Sequence, residues 1–213
     1  MKDQRDNRRD YAAHWLRRSN LAADPLEQFQ RWFAEALDAG IKDATAMALA
    51  TADEQGRPSV RIVLLKHFDE AGFCWYTDYR SQKGRELAQN PRASCLFHWR
   101  ELDRQVRLSG TVTRLDQRAA TNYFDSRPAD SRFSAAASTQ SAPVDDRAAL
   151  EARVAELRRR HPDGRVPKPH QWGGYCLSPA GYEFWQGREG RLHDRFRFTR
   201  DHSGAWVAQR LQP

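Results

Sequence analysis

The stretch 59-SVRIVLLKHFDEAGFCWYT-77 decides how the chain is read. β-Branched and aromatic residues run on both sides of Asp69–Gly72, whose Asp-Glu-Ala-Gly composition is that of a turn. The expectation is a hairpin, with one strand over 59–68 and a second over 73–77. Period two puts Arg61, Val63 and Leu65 on one face and Ile62, Leu64 and Lys66 on the other. Two cations therefore bracket an apolar run and point to opposite sides. Spacing alone leaves two readings open, strand-end charges reaching water or ligands for an anion.

The same pattern extends outward. Residues 45–51 (TAMALAT) precede the hairpin across the turn DEQGRP. Residues 92–99 (RASCLFHW) and 104–115 (RQVRLSGTVTRL) follow it. Near the C-terminus, 173–187 (GGYCLSPAGYEFWQG), 194–200 (DRFRFTR) and 205–212 (AWVAQRLQ) read as strands, with DHSG turning the last hairpin. Helices are expected at four places. In DPLEQFQRWFAEALDAG, Asp24 caps, Pro25 takes the first helical position and Glu27 completes a capping box. Leu26, Phe29, Phe33 and Leu37 share one face there, and Gly40 ends the helix. SQKGRELAQN, capped by Ser81, is a shorter helix. DQRAATNYFDSR and DDRAALEARVAELRRRH are the other two, and 127–144 between them reads as a long Ser/Ala-rich loop. Successive strands lack crossover helices, so the pattern favours an antiparallel barrel with helices outside over a doubly wound parallel sheet.

Composition narrows the setting. The chain has 213 residues, 39% hydrophobic and 30% charged, with a formal net charge of +7. This fits one soluble globular domain over 21–213, preceded by a highly charged segment over 1–20. The positive balance favours an anionic partner, whether nucleic acid, acidic membrane or a phosphorylated small molecule. Cys74, Cys95 and Cys176 have no paired spacing, so free thiols in a reducing compartment are expected and a metal site is not. The N-terminal MKDQRDNRRDY has no apolar core, and no apolar run approaches the roughly 20 residues of a membrane span. The expected location is the cytoplasm, with no membrane partner. The chain has neither a G-x-G-x-x-G loop nor a Walker sequence, and GGYCLS is not a nucleophile elbow.

Three further stretches carry chemistry. In SQKGREL, Lys83 falls in the first helical turn, where free N–H groups attract anions and a cation opposes the dipole. In NYFDSRPADS, Tyr123 and Arg127 are four apart and Ser131 follows Pro128, a set of donors suited to phosphate or to an ordinary surface helix. In 185-WQGREGRLHDR-195, an extended backbone would align Arg191, His193 and Arg195, with Arg188 facing solvent from the glycine loop. Three aligned cationic or titratable groups repel one another unless an anion or a π-system lies among them. A structural histidine and a functional one both remain open.

Taken together, RIVLLKHFDEAGFCWYT, NPRASCLFHW, RQVRLSG, YFDSRPADS, TQS, WGGY and EFWQGREGRLHDRF resemble the pyridoxine/pyridoxamine 5′-phosphate oxidase family. These segments run in the family's order from about Pro25 to the C-terminus. The resemblance implies a mainly β fold with α: an FMN-binding split β-barrel, antiparallel and Greek-key-like, with helices packed outside. It implies a homodimer with FMN in clefts shared by both subunits. It also implies oxidation of pyridoxamine and pyridoxine 5′-phosphates to pyridoxal 5′-phosphate, with O2 as acceptor, H2O2 as product and NH3 released from the amine. Carried over by motif, Arg61 and Lys83 would hold the FMN phosphate. Ile62, Val63, Leu64, Leu65 and Lys66 would border the flavin, with Tyr76, Thr77, Gln82 and Gln105 near it. Gln140, Ser141, Trp185 and Arg195 would complete the cofactor site, some of them from the other subunit. Lys66, Tyr123, Arg127 and Ser131 would hold the substrate phosphate, and the catalytic pair Arg191 and His193 would face its ring. Arg8 and Tyr11 match a lid over the substrate, which Asp43 would join. One departure is Gln82, where the family often has arginine, removing a cation from the FMN phosphate. Competing expectations are a flavin reductase-like relative, a non-catalytic B6-phosphate carrier and a nucleic-acid binder. The clustered phosphate donors and the intact RLHDR speak against all three, so no nucleic-acid partner is expected.

Overall fold

The computed structural model describes residue 11 and residues 15–213. The helices are α1 (Pro25–Asp38), α2 (Gln82–Gln89), α3 (Gln117–Ser126), α4 (Ala129–Ala137) and α5 (Arg147–Arg160). The strands are β1 (Ala46–Ala52), β2 (Pro58–Leu64), β3 (His67–Asp69), β4 (Gly72–Asp78), β5 (Arg92–Trp99), β6 (Arg104–Arg114), β7 (Trp172–Gln186), β8 (Asp194–Arg200) and β9 (Trp206–Leu211). Among the described residues they form a sheet in the order β2-β1-β5-β6-β7-β4-β3, with β8 on β7 and β9 on β8. The pairs β3–β4, β4–β7, β7–β8 and β8–β9 are antiparallel.

The expected strand over 59–68 is split. β2 ends at Leu64, the side chain of Leu65 is buried, and Lys66 is exposed before β3 begins. Pairing persists across the break, because the Lys66 N–H donates to the Cys74 carbonyl at 2.9 Å. The β3–β4 turn forms as read, with Asp69 paired to Gly72 and its carboxylate accepting from the Ala71 N–H at 2.8 Å. Gly72 has φ +140°, and a Cβ there would lie 2.1 Å from the Leu177 carbonyl oxygen, so glycine is required. Along β2 the alternation holds: Ser59, Arg61 and Val63 are half-buried, while Val60, Ile62 and Leu64 are exposed.

α1 is capped by Asp24, which accepts from the Leu26 N–H, and Pro25 opens it. Glu27 does not close a capping box and pairs with Arg31 instead. The buried face is Phe29, Trp32 and Ala36, not the expected row ending at Leu37, which is 52% exposed. A strand face then receives the rings one position round the helix from the face the sequence favoured. The loop expected at 127–144 contains α4. Pro128 sits at its N-cap and Asp130 in its first turn. Its four alanines and Phe133 provide helix propensity and one buried anchor without a full apolar period.

The chain folds as two compact units. The first comprises the described part of Met1–Leu49 with Ser94–Gly110 and Pro179–Pro213. Its core is aromatic: Trp32 meets Phe184 edge-on at 5.4 Å, Phe29 and Phe97 lie 5.1 Å apart, and Phe184 and Phe198 5.8 Å apart. The Trp99 indole N–H donates to the Ala44 carbonyl at 3.0 Å, so this buried ring keeps its one hydrogen bond. The second unit comprises Ala50–Ala93 and Thr111–Ser178. Phe124, Phe133, Val166 and Trp172 form a buried cluster there, joined by Val154 and Leu157 of α5. Cys74, Cys95 and Cys176 are free and buried. Among the described residues no helix is long and apolar enough to cross a membrane.

Candidate active site

The second unit holds a cleft of about 980 Å³. β2 presents Arg61 to it, β4 presents Tyr76 and Thr77, and α2 presents Gln82 and Lys83. α3 adds Tyr123, the turn after it Arg127, α4 Ser131, and the segment beyond α4 Gln140 and Ser141. Ile62, Val63, Leu64 and Lys66 also line it. Leu65 does not: its side chain is only 3% exposed and turns into the core.

Lys83 is the most constrained cation. The Ser81 cap seats α2 so that the Lys83 side chain is buried. Its ammonium donates to Gln140 Oε1 (2.9 Å), Thr77 Oγ1 (3.1 Å) and Ser81 Oγ (3.2 Å), all neutral acceptors. Burial, with Arg61 beside it, lowers the pKa of Lys83 to about 8. Gln140 is itself held, because its N–H donates to Asp78 Oδ2 at 3.3 Å and Asp78 is gripped by Arg80. Arg61 donates to Thr51, to Ser59 and to Glu86 Oε2 at 3.2 Å. Glu86 also accepts from the Gln82 amide at 2.9 Å. Hydrogen bonds from Thr51, Ser59 and Gln82, with Arg61 beside them, hold its carboxyl below the usual range against the opposing effect of burial. Glu86 is absent from the expectations because it lies four residues into a helix and carries no motif.

Further along the cleft, Tyr76, Tyr123 and Trp172 lie nearly parallel. The centroids of Tyr76 and Tyr123 are 4.0 Å apart, and those of Tyr76 and Trp172 5.6 Å. The Arg127 guanidinium carbon lies 4.9 Å from the Trp172 ring centre. Arg127 Nη1 is buried with no hydrogen-bond partner among the described residues, and burial lowers the Arg127 pKa. An orphaned guanidinium donor beside flat rings is what a site for an anionic, ring-bearing ligand presents.

The first unit holds the other expected residues. Gln105, Trp185 and Arg195 line a smaller cavity of about 270 Å³ with Glu183. Glu183 Oε1 accepts from Arg195 Nε (3.0 Å) and Nη2 (2.7 Å), and its other oxygen accepts from Arg107. The carboxylate therefore clamps arginines on two neighbouring strands. The extended Arg191-x-His193-x-Arg195 face does not form. Gly190 (φ +62°) and Arg191 (φ +61°) turn left-handed, and β8 starts only at Asp194. Arg188 is not solvent-facing either, since its guanidinium lies over Trp15. His193 packs 4.6 Å from Trp185 and 5.3 Å from Tyr11. Its Nδ1 accepts from the Arg188 N–H at 3.1 Å, which puts the proton of the neutral ring on Nε2. Burial, then Arg191 and Arg195, keep the His193 pKa below its ordinary value. Asp43 is exposed at φ +60°, and Arg8 lies outside the described residues.

The family model described as "Pyridoxamine 5'-phosphate oxidase" matches residues 33–161. The chain belongs to the pyridoxamine 5′-phosphate oxidase family. A second family model, "Pyridoxine 5'-phosphate oxidase C-terminal dimerisation region", matches residues 172–213. Curated pyridoxine/pyridoxamine 5′-phosphate oxidases of this family are similar along nearly the whole chain. The one from Herminiimonas arsenicoxydans is 53% identical over 98% of both chains. That from Ralstonia pickettii (strain 12J) is 52% identical over 98% of both. Among solved structures, PhzG from Burkholderia lata 383, in complex with tetrahydrophenazine-1-carboxylic acid, matches at TM-score 0.89 and 33% identity, over 96% of this chain and 100% of that one. A pyridoxamine 5′-phosphate oxidase-related, FMN-binding protein from Nostoc punctiforme PCC 73102 matches at TM-score 0.70 and 19% identity, over 91% and 100%, a likeness of fold. The fold is the expected mainly antiparallel one of the FMN-binding split-barrel class.

Proposed function

We propose that the protein is an FMN-dependent oxidase of pyridoxamine and pyridoxine 5′-phosphates. It forms pyridoxal 5′-phosphate in B6 biosynthesis or salvage and works as a cytoplasmic homodimer. The observation that carries this reading is Arg127, whose buried Nη1 lacks a protein partner in a cleft that also bears Lys66, Tyr123 and Ser131. That set suits a phosphate on a flat ring. Lys83 and Arg61 form a second cationic point in the same cleft, and Lys83 has only neutral acceptors. These features fit the phosphate of FMN. The 53% identity to a curated oxidase supports the same reading.

When bound, FMN supplies the hydride acceptor that no side chain provides, and O2 takes the electrons on to H2O2. The chain's residues do the rest. Lys66, Tyr123, Arg127 and Ser131 hold the substrate phosphate and so fix where the reacting carbon lies. Thr77, Gln82, Gln140 and Ser141 line the FMN side, with Gln105, Trp185 and Arg195 contributed from clefts shared in the dimer. Neutral His193 offers its Nε2–H to the substrate and leaves geometry, more than acid–base exchange, as its task. Arg191 stabilises negative charge on the substrate ring oxygen. Arg191→Ala is expected to cut turnover at least about 100-fold while FMN absorbance stays. A flavin-replete variant with near-normal rates would exclude that role.

The deciding experiment is a visible spectrum of the purified protein followed by anaerobic pyridoxamine 5′-phosphate. Yellow protein that bleaches supports both cofactor and reaction. Colourless protein that takes up no added FMN refutes the proposal. The 33% identity to PhzG favours one second reading, a reduced phenazine carboxylate as substrate. Bleaching by that compound and not by the B6 phosphate would select it.

A further inference from the structure

Trp15 stands between two cations. The guanidinium carbon of Arg188 lies 3.4 Å from the centre of its ring and that of Arg17 4.7 Å. The indole is 57% exposed, so hydrophobic burial does not hold it there and the arginines do. The next residue, Leu16, is buried. Its N–H donates to Asp194 Oδ2 at 3.2 Å, and its carbonyl accepts from Arg210 Nη2 at 3.3 Å. Arg210 Nη1 in turn donates to Asp194 Oδ1 at 2.6 Å. Trp15 and Leu16 are thus fastened on both sides of His193, Trp15 by Arg188 before it and Leu16 by Asp194 of β8 and Arg210 of β9 after it.

Tyr11 lies at the other end of this fastening. Its ring stands edge-on to His193 (5.3 Å) and to Trp185 (5.8 Å). A Cβ at Gly187 would come within 2.5 Å of the Tyr11 ring, so that glycine leaves its berth open. Arg188 links the two ends: its side chain covers Trp15 and its N–H donates to His193 Nδ1.

We propose that Trp15 and Arg188 form a latch that seats the N-terminal segment and positions Tyr11 on His193. The latch governs substrate capture and leaves FMN retention alone. Both are positioning residues: neither lines the cleft, and Arg188 acts through His193, to whose Nδ1 its N–H donates. The inference rests on the oxidase reading, in which His193 faces the substrate.

The test uses FMN-loaded full-length protein. Trp15→Ala is expected to raise KM for pyridoxamine 5′-phosphate about 3- to 10-fold with kcat changed far less. Tryptic cleavage at Arg17 or Arg18, which detaches Tyr11, should accelerate by a similar factor. Trp15→Phe keeps an aromatic face and should restore most of both. Arg188→Ala should add little to Trp15→Ala, because one contact is lost only once. FMN absorbance should match wild type throughout. The latch is overturned if Trp15→Ala keeps wild-type KM and cleavage rate, or if the two substitutions add fully. If wild-type protein fails to oxidise the B6 phosphates, the oxidase reading fails. Cleavage rates and their non-additivity then decide the latch by themselves.

Discussion

Lys83 and Gln82 are neighbours in sequence with opposite fates. Lys83 is buried with its pKa lowered to about 8, while Gln82 is exposed and spends its amide on Glu86. The free lysine pKa is about 10.4. Between pH 8 and that value the unfolded chain keeps a proton that folded Lys83 has lost. The FMN-free protein should therefore gain stability as pH rises through that window. A bound phosphate favours charged Lys83, so FMN affinity should fall as pH climbs above 8. Denaturant melts across this range, with Lys83→Met as control, check the first point. Equal pH dependence in both proteins would remove Lys83 as the cause. On the proposed function, Gln82→Arg adds a cation beside the FMN phosphate and should lower the FMN dissociation constant about 3- to 10-fold. A titration with no change, or a rise, would mean that residue 82 does not face the phosphate. The spacing marked Lys83 as a candidate anion ligand because a cation in a first helical turn runs against the dipole. Its burial was not, because that depends on Thr77 and Gln140 from elsewhere in the chain.

At the scale of elements, caps and turns were read well. Asp24 and Ser81 each accept a helix N-terminal N–H as read, and Asp69–Gly72 turns the hairpin, although Glu27 closes no capping box. Such features are local, set by residues two to four apart. What misled was period. Helix α4 lacks an apolar stripe, and the extended reading of RLHDR missed the positive φ of Arg191 and of Gly190 before it. Helix α2 makes its own prediction. A Cβ at Gly84 would lie 2.2 Å from the Tyr79 carbonyl oxygen, which is backbone and cannot swing aside. Gly84→Ala should cost about 1–3 kcal/mol and weaken FMN binding, because the same helix carries Lys83. A variant that melts and binds as wild type would show that α2 can shift freely.

For the whole molecule, binding should report on folding. FMN at 100 times its dissociation constant should stabilise the protein by about 2.7 kcal/mol, raising the melting midpoint by about 5–11 °C. Scanning calorimetry with and without FMN checks this, and an unmoved midpoint would argue against a native-state FMN site. The sequence by itself determined the strand-rich class, the helix caps, the hairpin turn and, through its motifs, the family. These depend on short-range sterics, hydrogen bonding and residue order. Only the tertiary structure decided that Lys83 loses its contact with water, that Glu86 binds Arg61 and that Glu183 binds Arg195. The same holds for Trp15, which is gripped by an arginine 173 positions away. Each is set by which groups from distant segments the fold brings together, and no local spacing encodes that.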